Sequence, residues 1–498
     1  MLFNSYEFLF FFLPFVFTIY RLLVRSNISL DVLLVFLCTA SFGFYAWWQP
    51  TYLLLLGGSI LGNYGIARLI ASTRHNTSRT IILTIGIILN LSLLAYYKYT
   101  TFILENLQSI GYWQGTIPNI VLPLAISFFT FQQIAYLVTC FKNPASICSL
   151  LEHVFFITFF PHLIAGPIVY KNELIDQVRA GKLTTSNLTN WQQGLSLFVI
   201  GLAKKMVIGD NLAELINPLY DTGGPEGSFD AWIGSFIFGF QIYFDFSAYS
   251  DMALGLAYLF GLRLPINFDS PYKASSYREF WRRWHITLFR FFRDHIYTPM
   301  KGTGNNPFWK IPLSFLIFFL SGLWHGAAWT FVAWGVANWL LIQVNDAWIF
   351  FWKKITRGKN FAINPIIGRL YVFIAMSLTF MLFRSPDFGT AKRFIDHLFS
   401  PLSMEKSQII QIVHECDLWR ILGGSRYAAG ITVISIVLFL LMFVWHLPNA
   451  VRFAMPEEHR SVGSHIRFNT RTAILLGFTA WLCLMSLPKS TEFLYFQF

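Results

Sequence analysis

Charge is what this sequence has least of. Only 12% of its 498 residues are Asp, Glu, Lys or Arg, against roughly 25% in soluble domains. The net charge is +12, but no solvated basic domain carries it, so a nucleic-acid role is excluded. Cysteine is sparse: Cys38, Cys140, Cys148, Cys416 and Cys483, with no C-x-x-C spacing. That excludes a disulfide framework and a thiolate metal centre. No G-x-S-x-G, H-E-x-x-H or G-x-x-x-x-G-K-[ST] occurs, which removes the elbow hydrolases, the zincins and the P-loop enzymes. No His is followed five positions later by Asp, so the soluble H-x4-D acyltransferase arrangement is missing. "HEC" at 414–416 has no further ligands nearby and reads as ordinary loop. No internal repeat is evident, which weighs against a transporter built from two related halves.

What remains is apolar and aromatic. Hydrophobic residues make up 55% of the chain, with 54 Phe and 17 Trp. Apolar stretches fall near 8–24, 29–47, 52–70, 80–98, 121–140, 150–168, 189–209, 231–260, 308–324, 327–349, 366–384, 429–447 and 472–488. Lipid demands that each crossing segment satisfy its own backbone. The expectation is therefore an all-α, multi-pass membrane protein with roughly a dozen helices of about 20 residues, some re-entrant. The first run lacks a small-residue cleavage site and reads as a retained helix. A single membrane domain over 1–498 follows.

Basic loops set the orientation. "RLIASTRHNTSR" (68–79), "FWKKITRGK" (351–359) and 261–301 read as cytoplasmic. The hairpin 308–349 then turns, at "SGLWHGAAWT", away from the cytoplasm or within a cavity. The loop 385–428 and the C-terminal end fall outside the cytoplasm.

Two stretches carry chemistry. "SYREFWRRWHITLFRFFRDHIYTP" (276–299) opens with a Ser276–Glu279 capping pattern and stops at Pro299. At 100° per residue Tyr277, Phe280, Trp281, Trp284, Leu288, Phe291 and Phe292 share a face. Arg282, Arg283, Arg290 and Arg293 lie opposite, with His285 at the boundary. This is an amphipathic helix at the cytoplasmic interface, its arginines available to lipid phosphates or to a phosphorylated ligand. In the hairpin, an ionisable His325 lies between apolar runs, and an intramembrane His marks function by default. The plain alternative is a hydrogen-bonded polar group at a Trp-rich turn. Small Gly326, Ala327 and Ala328 let helices approach around it. Neutral imidazole suits a general base. Gln241, Tyr243 and Asp245, within "QIYFDFSAYSDMALG", and Asn267 are candidate cavity-lining groups. Their alternative role is to satisfy neighbouring helices.

"EFWRRWHITLFRFFRDHIY" and "LSGLWHGAAWTFVAWG" together resemble the paired His motifs of membrane-bound O-acyltransferases, in the bacterial alginate O-acetyltransferase-like branch. "YFDFSAYSDMALGL" (243–256), "FFPHLIAGPIVY" (159–170), "LPLAISFFTFQ" (122–132), the start and the ending "FLYFQF" are similar too. The chain departs from common members at Ala328, Ala248, Tyr170 and the stretch "YTPMKGTGNN". The resemblance implies a helical ring around a central tunnel, with His325 as the catalytic His and His285 as its assistant. It implies Arg282, Arg283, Arg293, Trp284 and Trp324 near the donor. Acetyl-CoA is the implied donor substrate, with no permanently bound cofactor and no metal. The acetyl group would pass from the cytoplasm towards a cell-envelope polysaccharide or peptidoglycan, through an extracytoplasmic esterase-like partner, in a bacterial inner membrane. An acyl-carrier donor, as in D-alanylation, is the alternative, followed by a transporter or flippase.

Overall fold

The computed structural model describes residues 1–185, 187–302, 309–356, 364–416, 424–454, 469–489, 491 and 493–494. It is all-helical, with no strand among the described residues. The principal helices are α1 (Glu7–Arg25), α2 (Leu30–Ala46), α3 (Tyr52–Ser72), α4 (Asn76–Ser109), α5 (Ile126–Lys142) and α6 (Leu150–Thr158). They continue as α7 (Leu188–Ala203), α8 (Asp210–Asp221), α9 (Ser228–Leu259), α10 (Tyr277–Trp281), α11 (Ile286–Phe292), α12 (Lys310–His325) and α13 (Trp329–Ile355). The chain closes with α14 (Pro365–Arg384), α15 (Phe388–Leu398), α16 (Gln408–Glu415), α17 (Arg426–His446) and α18 (Thr470–Ser486). Five of them, α1, α3, α4, α14 and α17, are long and apolar enough to cross a membrane. Each apolar stretch expected from the sequence contains helix, but 121–125 and 164–168 lie outside helices and several helices are short of a crossing. The 150–168 stretch breaks at Phe159, whose φ of −51° and ψ of 109° leave the ladder. Helix resumes for only four residues, Phe160–Leu163, with Pro161 in its first turn, where a missing N–H costs nothing.

The outer surface of the bundle is oily. Leu54, Ile88, Phe439 and Ile474 stand exposed, as expected where lipid is the solvent. Helix association cannot then rest on apolar burial alone, and small residues admit close backbone approach. A Cβ on Gly194 of α7 would lie 2.7 Å from the Gly255 carbonyl of α9. One on Gly255 would lie 2.6 Å from the Gly194 carbonyl.

The core divides into two clusters. One gathers α1–α7, the C-terminal half of α9, Leu288, Phe291, Phe292 and Trp324. The other gathers α8, the N-terminal half of α9, α14, α17, Trp281, Trp284, Phe318 and Trp334. Both His stretches thus lie on the seam between the clusters. α9, buried along nearly its whole length, supports both sides of that seam.

The 276–299 segment departs from the single helix its periodicity suggests. Ser276 caps it as expected, accepting from the Glu279 N–H at 3.2 Å. Glu279 then reaches Ser275 N–H, at 3.0 Å, rather than closing the box on Ser276. α10 ends after five residues. The non-helical 265–269 segment takes over the ladder: Asp269 N–H donates to Arg283 O and Ile286 N–H to Asn267 O, both at 2.9 Å. His285 turns into the left-handed region, at φ +43°, before α11 begins. The apolar residues of the expected face are all buried, but two short helices and a turn bury them. His285 is fully enclosed rather than at a boundary. Within "YTPMKGTGNN", positions 303–306 lie outside the described residues, as do 495–498 of the ending.

Candidate active site

His325 is the last residue of α12, and its ring is buried between the two clusters. Trp324, Phe383 and Trp334 enclose it, with ring centroids 5.0, 5.1 and 5.2 Å away. His285 stands 6.3 Å from it, centroid to centroid. The expected pair is therefore brought together. The hairpin achieves this by tight packing. A Cβ on Gly322 would lie 2.4 Å from the Phe331 carbonyl, and one on Gly335 2.4 Å from the Phe318 carbonyl. No larger residue fits at the α12–α13 crossing without separating the helices.

The end of α12 is capped from another helix. The last four carbonyls of a helix have no partner within it. Here Gly326 N–H donates to Gly322 O at 3.3 Å, inside the turn. The other three carbonyls are taken by two side chains: the Tyr99 hydroxyl lies 2.8 Å from Leu323 O, and Lys98 Nζ lies 2.5 Å from Trp324 O and 3.1 Å from His325 O. Lys98 and Tyr99 come from α4 and were missed by sequence reasoning. The signal existed: an ionisable residue inside the apolar run "LSLLAYYKYTTF".

His285 is held by Asn267. Asn267 Oδ1 accepts from the Thr287 N–H at 3.3 Å and from the Thr287 hydroxyl at 2.9 Å. A backbone N–H can only donate, so this atom is the amide oxygen. His285 Nδ1, 3.0 Å from the same oxygen, therefore carries the proton, and Nε2 carries the lone pair. Asn267 Nδ2 donates to Ser250 Oγ at 3.3 Å, and Thr287 Oγ1 accepts from Ile168 N–H at 3.0 Å. Asn267, expected to line a substrate cavity, is instead the clamp that sets the tautomer and strained backbone of His285. Phe246, at 4.8 Å and nearly perpendicular, packs on the His285 ring.

A cavity of about 1150 Å³ opens beside α10–α13. Arg278, Arg282, Arg290, Arg293 and Lys310 line it against one carboxylate, Asp346. Its apolar wall includes Trp281 and Phe318. Trp281 packs at 5.9 Å on Trp334, the ring that covers His325. The cavity thus approaches the histidines through two aromatic layers. The arginines are unequally available. Arg278 is paired with Asp346 and Arg290 with Glu173. Burial pushes the Asp294 carboxyl up, but Arg293, bonded to it at 2.8 Å, outweighs this and holds it below the usual carboxylate range. Asp294 therefore stays ionised and partly neutralises Arg293. Arg282 is exposed and has no ion-pair partner among the described residues.

The other expected residues lie elsewhere. Arg283 is committed to Glu279, at 2.8 Å, and to the Asp269 carbonyl, at 3.1 Å, and does not line the cavity. Trp284 is sandwiched by Phe280, Phe268 and Phe380. Trp324 touches both His rings and is backed by Phe128 and Phe131. Asp245 is bonded to Lys205 at 2.6 Å and to Leu494 N–H at 2.9 Å. Lys205 also meets Asp210 at 2.8 Å. That buried cluster fastens the C-terminal segment onto α9; it is not part of the His pair. Tyr243 lines a separate cavity of about 240 Å³ with Lys204 and Asn449. Gln241 is buried on α9, its amide oxygen without a hydrogen-bond partner among the described residues.

The arrangement sets two buried imidazoles 6.3 Å apart, one of them of fixed tautomer, near an arginine-lined cavity. Residues 141–383 match the profile of the membrane-bound O-acyltransferase family. A peptidoglycan O-acetyltransferase of Helicobacter pylori is 34% identical, covering 100% of this chain and 98% of its own. A probable alginate O-acetylase of Pseudomonas putida is 32% identical over the whole of both chains. A teichoic acid D-alanyltransferase of Streptococcus thermophilus is 26% identical over 52% of this chain.

Proposed function

Because the chain belongs to the membrane-bound O-acyltransferase family and is an acyltransferase, we propose that it carries acetyl groups across a bacterial inner membrane for O-acetylation of a cell-envelope glycan. Peptidoglycan and alginate-like polymers are the acceptor classes, by similarity to the full-length relatives. The chain crosses the membrane many times, and its helices surround a tunnel joining the two sides. The observation that carries the reading is the His285–His325 pair, 6.3 Å apart on the seam of the core, next to an arginine-lined cavity.

Acetyl-CoA enters that cavity from the cytoplasm. Arg282 and Arg293 meet its phosphates, and the pantetheine arm runs along Trp281 and Phe318 towards the histidines. His325 takes the proton of an attacking hydroxyl. The hydroxyl oxygen bonds to the acetyl carbon, the C–S bond breaks, and the proton passes to the departing thiolate. His285 holds the reacting groups against the Trp324 face. The receiving hydroxyl belongs to an extracytoplasmic esterase-like partner, which hands the acetyl group to the glycan.

The test is reconstitution in vesicles with labelled acetyl-CoA on one side and the partner with glycan strands on the other. Label appearing on the glycan side, from acetyl-CoA and not from an acetylated carrier protein, supports the reading. Label delivered only from the carrier protein would replace acetyl-CoA as the donor. Glycan movement without acyl transfer would overturn the reading.

A further inference from the structure

We propose that Lys98 and Tyr99 of α4 are positioning residues for acyl transfer: together they form a side-chain cap that fixes the last turn of α12, and with it His325. The proposal rests on the assignment of His325 as the reacting base.

His325 ends its helix, so nothing beyond it in α12 holds its backbone. In water, the terminal carbonyls would be solvated. At membrane depth they must find protein partners. The chain supplies three of the four from a helix more than 200 residues away. Lys98 spans two consecutive carbonyls, Trp324 and His325, and Tyr99 takes Leu323. Adjacent residues on a helix point 100° apart, so the two donors grip the turn from two directions. α4 itself is well placed for this. It is 34 residues long, about 51 Å at 1.5 Å per residue, so it outreaches a bilayer core of about 30 Å. Near its far end Asn106 accepts from the Trp329 indole at 2.7 Å, on the opposite side of the same hairpin turn. α4 therefore grips both arms of the hairpin, at the end of α12 and at the start of α13.

Lys98 touches the backbone of the reacting residue and not its ring in these contacts, so its effect should appear in turnover. Misplacing a reacting group by about 1 Å costs about 100-fold in rate. Lys98→Met is expected to lower kcat about 100-fold with donor KM within threefold of wild type. Lys98→Arg keeps a cation able to donate to both carbonyls and is expected to stay within about fivefold in kcat. Tyr99→Phe, which removes one bond, is expected to lose about three- to tenfold.

The experiment measures kcat and KM for acetyl transfer in wild type, these three variants and His325→Ala, in one lipid preparation. Wild-type transfer that His325→Ala abolishes establishes the premise. Absent transfer in the wild type, or transfer retained in His325→Ala, would sink the proposed function and not the cap alone. With the premise intact, full turnover in Lys98→Met overturns the cap. So does a KM effect without a kcat effect, which would make Lys98 a donor-binding residue. So does Lys98→Arg as slow as Lys98→Met with equal thermal stability. If Lys98→Met does not accumulate, Tyr99→Phe decides: wild-type kcat overturns the cap, and a loss in kcat at unchanged KM supports it.

Discussion

Asn267→Ala gives the sharpest view of how this fold controls its chemistry. Asn267, His285 and Thr287 are essentially inaccessible, at 1%, 0% and 1% exposure. The substitution removes the acceptor of three donors: His285 Nδ1–H, Thr287 N–H and the Thr287 hydroxyl. Each lost bond is worth about 1 kcal/mol, more when a buried donor is left unpaired, giving about 3–5 kcal/mol. A water entering the vacated space can recover part of this. The net loss is expected at about 2–4 kcal/mol. His285 also sits at φ +43°, a region costing about 1–2 kcal/mol for a residue with a side chain. With the clamp gone, the turn relaxes and the proton is free to move to Nε2. Turnover should then fall about 100-fold, as for a misplacement of about 1 Å. The assay is a thermal-unfolding midpoint beside single-turnover acetyl transfer. Thr287→Val shares the network, because it removes one of the same bonds and the acceptor of Ile168 N–H. The double variant should therefore show a coupling of about 0.5–3 kcal/mol. Strict additivity of the two, or an Asn267→Ala protein within twofold of wild-type turnover, would refute the clamp.

Three further outcomes follow from the geometry. Gly322→Ala places a Cβ against the Phe331 carbonyl and should cost at least about 1–3 kcal/mol through overpacking, with a loss of turnover because His325 lies three residues on. A stable, fully active Gly322→Ala would show that the hairpin is looser than described. Arg282→Ala should raise donor KM several-fold at constant kcat, and KM should climb with salt, since this exposed cation acts through screened charge. A salt-independent KM in the wild type would remove the arginines from donor binding. Asp245→Asn weakens its bond to Lys205, which keeps Asp210 as a carboxylate partner, and should destabilise by about 1–3 kcal/mol, as for one hydrogen bond to a charged group. Folded variant protein should turn over normally; a specific loss of kcat without destabilisation would return Asp245 to the active site.

Most of the helix positions were legible because long apolar runs in lipid have few alternatives to helix. The His pair was legible through the resemblance of its two motifs to a family; read from the residues alone, only His325 stood out, as an imidazole between apolar runs, while His285 fell at the edge of an interfacial helix. The fate of 276–299 was not legible. Its apolar positions fit helical spacing, and all are buried, but the spacing says nothing about a neighbouring non-helical segment. Residues 267–269 capture the backbone groups of Arg283 and Ile286, and a tertiary contact overrides a local period. The same limit explains Asn267 and Asp245. Each was a polar residue in apolar surroundings, and only the partner distinguishes a clamp or an ion cluster from a ligand site. Lys98 shows the converse. Its position in an apolar run was visible, but its meaning depends on α12, over 200 residues later.

Under the proposed function, His325 performs the transfer. The direct measurement is the initial rate of label transfer from acetyl-CoA in lipid, comparing wild type with His325→Ala and His285→Ala at matched thermal stability. Transfer is expected in wild type, none above background in His325→Ala, and a reduced rate in His285→Ala. Equal rates in wild type and His325→Ala would contradict it and leave His325 as a packed residue at the end of a helix.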